Sequence, residues 1–332
     1  MTENPIFQPS IISKIRSAEE AEIIQPIEVG TTNAENELVF FIKPELLEVQ
    51  DDAKIENSLH LIQKKFEEYE VTISGAAIVP GAILEQYEIM NRHYGFINQL
   101  SRFASTLIDG ETRQAMFAKL GIKDTGDHKI LGGHEFLTNF NTDLDTLSDV
   151  WFGKGAEKMR SGFYFVEETF QGQPILLVNG FHPSQLAHFT RSDHRIVLML
   201  LHTNTDWERM KFSLVGDTFP ERAIPDSIRG MLHADPEKYG QAEVGINTNG
   251  VHLSAGPYEA AYEVVNFFGN LLNLDPAITP PAAIQRSIDA GVPRDLAFKL
   301  LENPEVDDSD LFSETENMDT KDAIHFVLDN PV

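Results

Sequence analysis

The chain has no cysteine in its 332 residues. Disulfides, thiolate nucleophiles and cysteine-based zinc sites are thereby excluded. It also lacks a long apolar run. No stretch approaches the ~18 apolar residues of a membrane-spanning helix, and Met1 to Gln25 has no apolar core of the kind a signal peptide needs. Positive charge is scarce: 26 Lys and Arg stand against 52 Asp and Glu, a formal net charge of −26. Such a surface repels nucleic acid and anionic membranes. A cytoplasmic protein without nucleic-acid or membrane partners is the expectation, and an anionic substrate has to be met by a local cluster of Lys and Arg. A phosphate-binding loop of the Gly-x-x-x-x-Gly-Lys-Ser/Thr type is missing, and Gly153-Lys154-Gly155 is too short to replace it.

What is present is enough apolar material for a core, at 42% of residues. Residues 1–36 read as an irregular or loosely helical lead-in. Leu38 to Ile42 is a short apolar run closed by Lys43-Pro44, the signature of a buried strand. Ile55, Leu59, Ile62 and Phe66 recur at helical spacing, so Ile55 to Tyr69 is an amphipathic helix. A strand at Val71 to Val79 and a helix from Pro80 to Arg92 follow. Gly162 to Phe170 and Pro174 to Val178 form a hairpin across Gln171-Gly172-Gln173. Ile196 to Leu201 is a strand, Asp206 to Val215 a helix, and Pro257 to Phe268 a helix with proline at its first position and Glu259 in its first turn. The acidic stretch after Leu301 carries ten acids and one lysine from Glu302 onward and reads as mobile until Ala323 to Leu328. His128, His134 and Glu135 fit no standard metal-ligand spacing and read as loop residues.

Asn249-Gly250-Val251-His252 places a histidine just ahead of that last helix, which carries Glu259 and Glu263. A neutral imidazole is a competent nucleophile near neutral pH, because its ordinary pKa is about 6.5. It needs an acceptor to hold its other ring N–H, and a carboxylate of that helix is placed for that role. Phe41-Ile42-Lys43-Pro44 and Ile224-Pro225-Asp226-Ser227-Ile228-Arg229-Gly230 add a lysine and an arginine at element ends. Holding phosphates and neutralising charge on their oxygens is most of the work of phosphoryl transfer.

In their order, these stretches resemble the nucleoside diphosphate kinase family. Phe41-Ile42-Lys43-Pro44 is similar to its first-strand motif, His93-Tyr94 to its His-Tyr pair, and Gly216-Asp217-Thr218 to its Gly-Glu-Thr. Ser227-Ile228-Arg229-Gly230 resembles its Thr-Ile-Arg-Gly. Asn249 and His252 match its asparagine and nucleophilic histidine, and Glu263, eleven residues on, its orienting glutamate. The resemblance implies a ferredoxin-like core, a four-stranded antiparallel sheet with helices on its faces. It implies an enzyme that moves the terminal phosphate of a nucleoside triphosphate to a nucleoside diphosphate through a phosphohistidine on His252. Lys43, Thr218, Arg229 and Asn249 would hold the phosphates, Tyr94 would support the nucleophile, and Phe181, with Phe103 as the alternative, would stack on the base. Mg²⁺ would come with the nucleotide phosphates and take no protein ligand. A homo-oligomer is implied as well. The family-like domain would run over 37–272, interrupted by an insertion at 97–174, with extensions at 1–36 and 273–332.

The chain departs from the family at three places. Leu253-Ser254-Ala255 stands where the family has Gly-Ser-Asp. The family's second phosphate-binding arginine falls on Phe212, beside Lys211 and Arg209, of which Lys211 is taken as the substitute. Twenty residues separate Arg229 from Asn249, about twice the family spacing. A nucleotide-binding or assembly module without efficient transfer is therefore the alternative, and a histidine-dependent hydrolase or other phosphotransferase a third.

Overall fold

The computed structural model describes residues 4–160, 162–306 and 309–330. In chain order the longer strands are β1 (Glu22–Gln25), β2 (Asn36–Ile42), β3 (Thr72–Pro80), β4 (Lys129–Gly132), β5 (Glu157–Arg160), β6 (Phe163–Phe170), β7 (Gln173–Val178), β8 (Arg195–Thr203) and β9 (Val251–Leu253). They fall into two compact units. Met1–Tyr87 and Arg191–Val332 make the first, and Glu88–Thr190 the second.

The first unit is built on a five-stranded sheet in the order β1-β3-β8-β2-β9, with every neighbouring pair antiparallel. All seven residues of β2 are buried. Its even residues Leu38, Phe40 and Ile42 enter a large core with Ile55, Leu59, Ile62 and Phe66 of the helix Asp52–Glu68. Its odd residue Phe41 packs against Phe267, at 5.4 Å between ring centroids. With both faces covered, the strand reads as an unbroken apolar run, not an alternation. The register sets Phe41 opposite His252 and Ile42 opposite Val251.

The expected four-stranded sheet is thus corrected to five. The additional edge strand, β1, comes from the stretch read as an irregular lead-in. Four residues, Glu-Ile-Ile-Gln, are too short for a period of two to stand out. The helix Ser10–Ser17, in the same stretch, buries Ile11, Ile12 and Ile15 in the core. The acidic C-terminal stretch is also corrected. Its described residues carry Leu311, Ala323 and Val327 into a cluster with Tyr258, Ala261, Ile284 and Leu300. The acids between them stay outside, so a high average charge concealed a sparse apolar face.

The second unit has a four-stranded sheet, β4-β7-β6-β5, in which β4 runs parallel to β7 and the other pairs are antiparallel. The hairpin β6–β7 turns through Gln171 and Gly172, both at positive φ (50° and 80°), the geometry of a two-residue turn that matches strand twist. Alternate residues of β7 feed two clusters. Leu176 and Val178 meet Leu100, Ala104 and Phe117, while Ile175 and Leu177 meet Phe136, Leu147 and Trp151.

Candidate active site

His252 sits in β9, the short edge strand beside β2. Its ring stacks on Phe41 at 4.5 Å between centroids, with 15° between planes. Cross-strand pairing puts the two residues opposite each other, so the apolar ring fixes the imidazole plane. Its Nε2 lies 2.8 Å from Oε1 of Glu263, which is fully buried, while 17% of the His252 side chain reaches solvent. The second oxygen of Glu263 accepts the hydroxyl of Ser254, whose Oγ in turn accepts the Val39 N–H at 2.9 Å. The carboxylate is therefore oriented by the strand that carries the histidine. Ser254 lies two residues after His252 and on the same side of the chain.

The approach to His252 is shaped by a turn that only glycine fills. Gly250 has φ +81°, and a Cβ there would lie 2.5 Å from Leu232 Cδ1 and 2.9 Å from Leu46 Cδ1. Its N–H donates to Glu45 Oε1 at 2.9 Å, and its carbonyl accepts the Lys43 N–H at 2.9 Å. The Asn249-Gly250 turn is thus fastened to the end of β2 on both sides.

Lys43 is buried, and its Nζ donates to Asn249 Oδ1 at 2.6 Å. Asn249 Nδ2 donates in turn to the Thr218 carbonyl at 3.2 Å. Residues far apart in the chain are linked in one line: Lys43, Asn249, Thr218. Arg229 follows Ser227, which caps its helix Ile228–Ala234 by accepting the Gly230 N–H. The Arg229 guanidinium donates to the Gly216 carbonyl at 3.0 Å and to the Val251 carbonyl at 2.8 Å. It clips the Gly216-Asp217-Thr218 loop to β9 beside the histidine.

The electrostatics follow from this crowding. Burial holds the His252 pKa well below its ordinary 6.5, and the charges of Lys43, Arg229 and Lys211 add to that. The imidazole is neutral at neutral pH. Burial also lowers Lys43 to about 8, with Glu45 opposing the shift and Arg229 adding to it. Glu259, one helical turn before Glu263, is pushed up to about 8 by burial and by the charge of Glu263, with Lys211 pulling the other way. The charges of three cations thus act on a neutral imidazole that is anchored to a buried carboxylate. Such a site can receive an anionic group on Nδ1, across the ring from Glu263.

Of the residues singled out by sequence, Lys43, Thr218, Arg229, Asn249, His252 and Glu263 are connected here, and Lys211 is within electrostatic reach of His252. Tyr94 and Phe181 belong to the second unit. Tyr94 lies 5.9 Å from His182 and 6.2 Å from Phe189 between ring centroids. The ring of Phe181 packs with Trp151 and Tyr164 against one of that unit's apolar clusters. Phe103, the alternative, is exposed. Phe212, at the family's second arginine position, is also exposed, and Lys211 beside it is paired with Glu316. His134 bonds Ser101, His128 bonds Glu167, and Glu135 accepts the N–H groups of Gly132 and Ser105, so these three are spent on separate partners. Sequence reasoning missed Ser254, Glu45 and Glu316. Ser254 carried two usable signals, its place two residues after the histidine and its match to the serine of Gly-Ser-Asp.

Among solved structures, the chain is similar to the nucleoside diphosphate kinase from Encephalitozoon cuniculi (cubic form, apo). The identity is 14%, covering 70% of this chain and 89% of that one, with a TM-score of 0.34. It is also similar to an NDP kinase from Pyrobaculum aerophilum, at 19% identity over 72% of this chain and 99% of that one, with a TM-score of 0.36. No family model matches the chain, and none of the curated proteins does. Likenesses of this degree leave the function to be read from the site.

Proposed function

We propose that the chain is a phosphotransferase that moves the terminal phosphate of a nucleoside triphosphate to a nucleoside diphosphate through His252. The observation that carries this reading is the bond from His252 Nε2 to the buried Glu263, set among Lys43, Arg229 and Lys211. Nδ1 attacks the terminal phosphorus, the bond to the bridging oxygen breaks, and the nucleoside diphosphate leaves with the electron pair. Positive charge on the phosphorylated ring is stabilised by Glu263 through the Nε2 proton. An acceptor diphosphate then attacks the same phosphorus with its terminal oxygen and regenerates the neutral imidazole. Lys43, Asn249 and Lys211 donate to phosphate oxygens, and Thr218 borders them. Mg²⁺ would come with the nucleotide phosphates and neutralise charge on their oxygens, while these side chains hold the oxygens themselves.

The strand order supports the same reading. With edge strand β1 set aside, β3-β8-β2-β9 remains, all antiparallel, and a helix follows both β2 and β8 before the next strand. That succession is compatible with a ferredoxin-like core. Assembly into a homo-oligomer belongs to the reading too, and sedimentation measures it directly.

One observation favours the alternative of nucleotide binding without efficient transfer. Arg229 is engaged by two backbone carbonyls, and an exposed phenylalanine stands at the second arginine position. Incubation with γ-labelled ATP and Mg²⁺, followed by GDP, separates the two. Acid-labile label that is absent in His252→Ala and passes to GDP supports the kinase. Bound nucleotide without label on the folded protein supports the alternative.

A further inference from the structure

The C-terminal stretch reaches the candidate active site. Its residues are fastened to the segment directly after His252. The Asn317 N–H donates to the Ala255 carbonyl at 2.9 Å, and a Cβ on Gly256 would lie 2.6 Å from the Thr315 carbonyl oxygen. Asp319 Oδ1 accepts the Trp207 N–H at 2.8 Å and the Asn36 side chain at 2.9 Å, so the stretch is also tied to the start of the segment that carries Lys211. Between these anchors stands Glu316, whose Oε1 accepts the ammonium of Lys211. Lys211 is one of the three cations whose field acts on His252.

The two partners differ in exposure. The Lys211 side chain is 22% exposed and that of Glu316 46%. A pair of this kind contributes little net stability and exchanges readily for a stronger anion. A triphosphate offers more charge, and more acceptor oxygens, than one carboxylate. The carboxylate also adds negative charge where phosphates must enter, and its charge reaches Glu259.

We infer that Glu316 occupies Lys211 in place of a substrate phosphate, so that the C-terminal segment competes with nucleotide and sets the affinity of the site. This rests on the proposed phosphotransferase reading. On nucleotide entry Lys211 passes from the Glu316 carboxylate to a phosphate oxygen, with no covalent bond made or broken. The bonds to Ala255, Trp207 and Asn36 hold the segment in place during the exchange, so the competition is local to one side chain.

The test is a double-mutant cycle with Glu316→Gln and Lys211→Ala on the full chain. Nucleoside triphosphate binding with Mg²⁺ is measured by calorimetry, and phosphohistidine formation by label. Glu316→Gln is expected to tighten nucleotide binding about fivefold, the scale of one exposed ion pair. In a Lys211→Ala background the same change is expected to have a clearly smaller effect. Unchanged or weaker binding in Glu316→Gln overturns the inference, as does an equal gain in both backgrounds. If wild type labels on histidine while Glu316→Gln binds no more tightly, the exchange fails and the phosphotransferase reading stands. If wild type binds nucleotide without labelling, that reading fails by itself. If wild type binds no nucleotide, both fail.

Discussion

Two histidine sites in this molecule reach the same protonation state by similar means and differ in what holds the ring. In the second unit, burial lowers His134 to about 3 and His182 to about 4, with Arg102 contributing to both. In the first unit, burial and three cations hold His252 well below its ordinary value. All three rings are neutral at pH 7. His134 bonds the Ser101 hydroxyl at 2.9 Å, and His182 faces the amides of Gln185 and Asn98 at 3.4 and 3.3 Å. His252 alone among them has a carboxylate on the ring nitrogen opposite the proposed nucleophile. A neutral imidazole is therefore not enough to mark a nucleophile. Nor is a carboxylate by itself, since His128 bonds Glu167 and His202 bonds the buried Glu37; at His252 the carboxylate is combined with the charges of Lys43, Arg229 and Lys211.

The largest test of that contrast replaces the rings. His252→Ala is expected to remove phosphoenzyme formation by a factor on the order of 10⁴, measured as acid-labile label. His134→Ala is expected to leave label close to wild type and to cost about 1–3 kcal/mol in denaturant unfolding, because Ser101 loses its buried partner. Comparable loss of label in both variants would erase the contrast. Next comes the acceptor. Glu263→Gln keeps the shape and removes the charge, and should slow phosphohistidine formation about 10²-fold in rapid-quench labelling. A rate equal to wild type would mean that the carboxylate only positions the ring.

The cations give a smaller effect. Lys43→Met should lower kcat/KM for nucleotide roughly 30-fold, the loss of one charge-assisted bond of about 2 kcal/mol. Steady-state kinetics with circular dichroism as a folding control decides it. The pH profile is the mildest probe. Above pH 8 Lys43 loses its charge and Glu259 gains one, and both changes weaken anion binding. The value of kcat/KM should therefore fall through pH 8, and Glu259→Gln should make the fall shallower. On the acid side the sign is set by depressed folded-state values at His252, His134 and His182. Below about pH 6.5 the unfolded chain takes up protons that the folded chain refuses, so these groups withdraw stability as pH falls towards 4. Thermal unfolding across that window reads the effect.

The contrast between the two sites was only half legible in the sequence. Lys43, Asn249, Thr218, Arg229, His252 and Glu263 stand in a readable order; the register of β2 with β9 brings the Lys43 end of β2 beside Asn249 and His252, and side-chain bonds add the other three. Glu263 was legible because it lies on the helix that follows the histidine. Glu259 and Glu263 are four residues apart and share a helix face, but whether that face is buried leaves no mark in so short a segment. In Leu253-Ser254-Ala255 the departures are Leu253 and Ala255, while the serine between them matches and its hydroxyl bonds Glu263. Glu316 meets Lys211 across 105 residues, a contact with no local signature. The edge strand β1 and the packed C-terminal stretch went unread for a common reason. Each buries a few apolar residues set among polar or acidic neighbours, too few to build a period.

The most direct measurement maps the phosphate itself. After incubation with γ-labelled ATP and Mg²⁺, the protein is digested under alkaline conditions and the labelled peptide sequenced by mass spectrometry. A phosphohistidine at His252 is expected, lost in His252→Ala and discharged by GDP. Nucleotide bound by the folded wild type with His252 unmodified, or label on another residue, would contradict it.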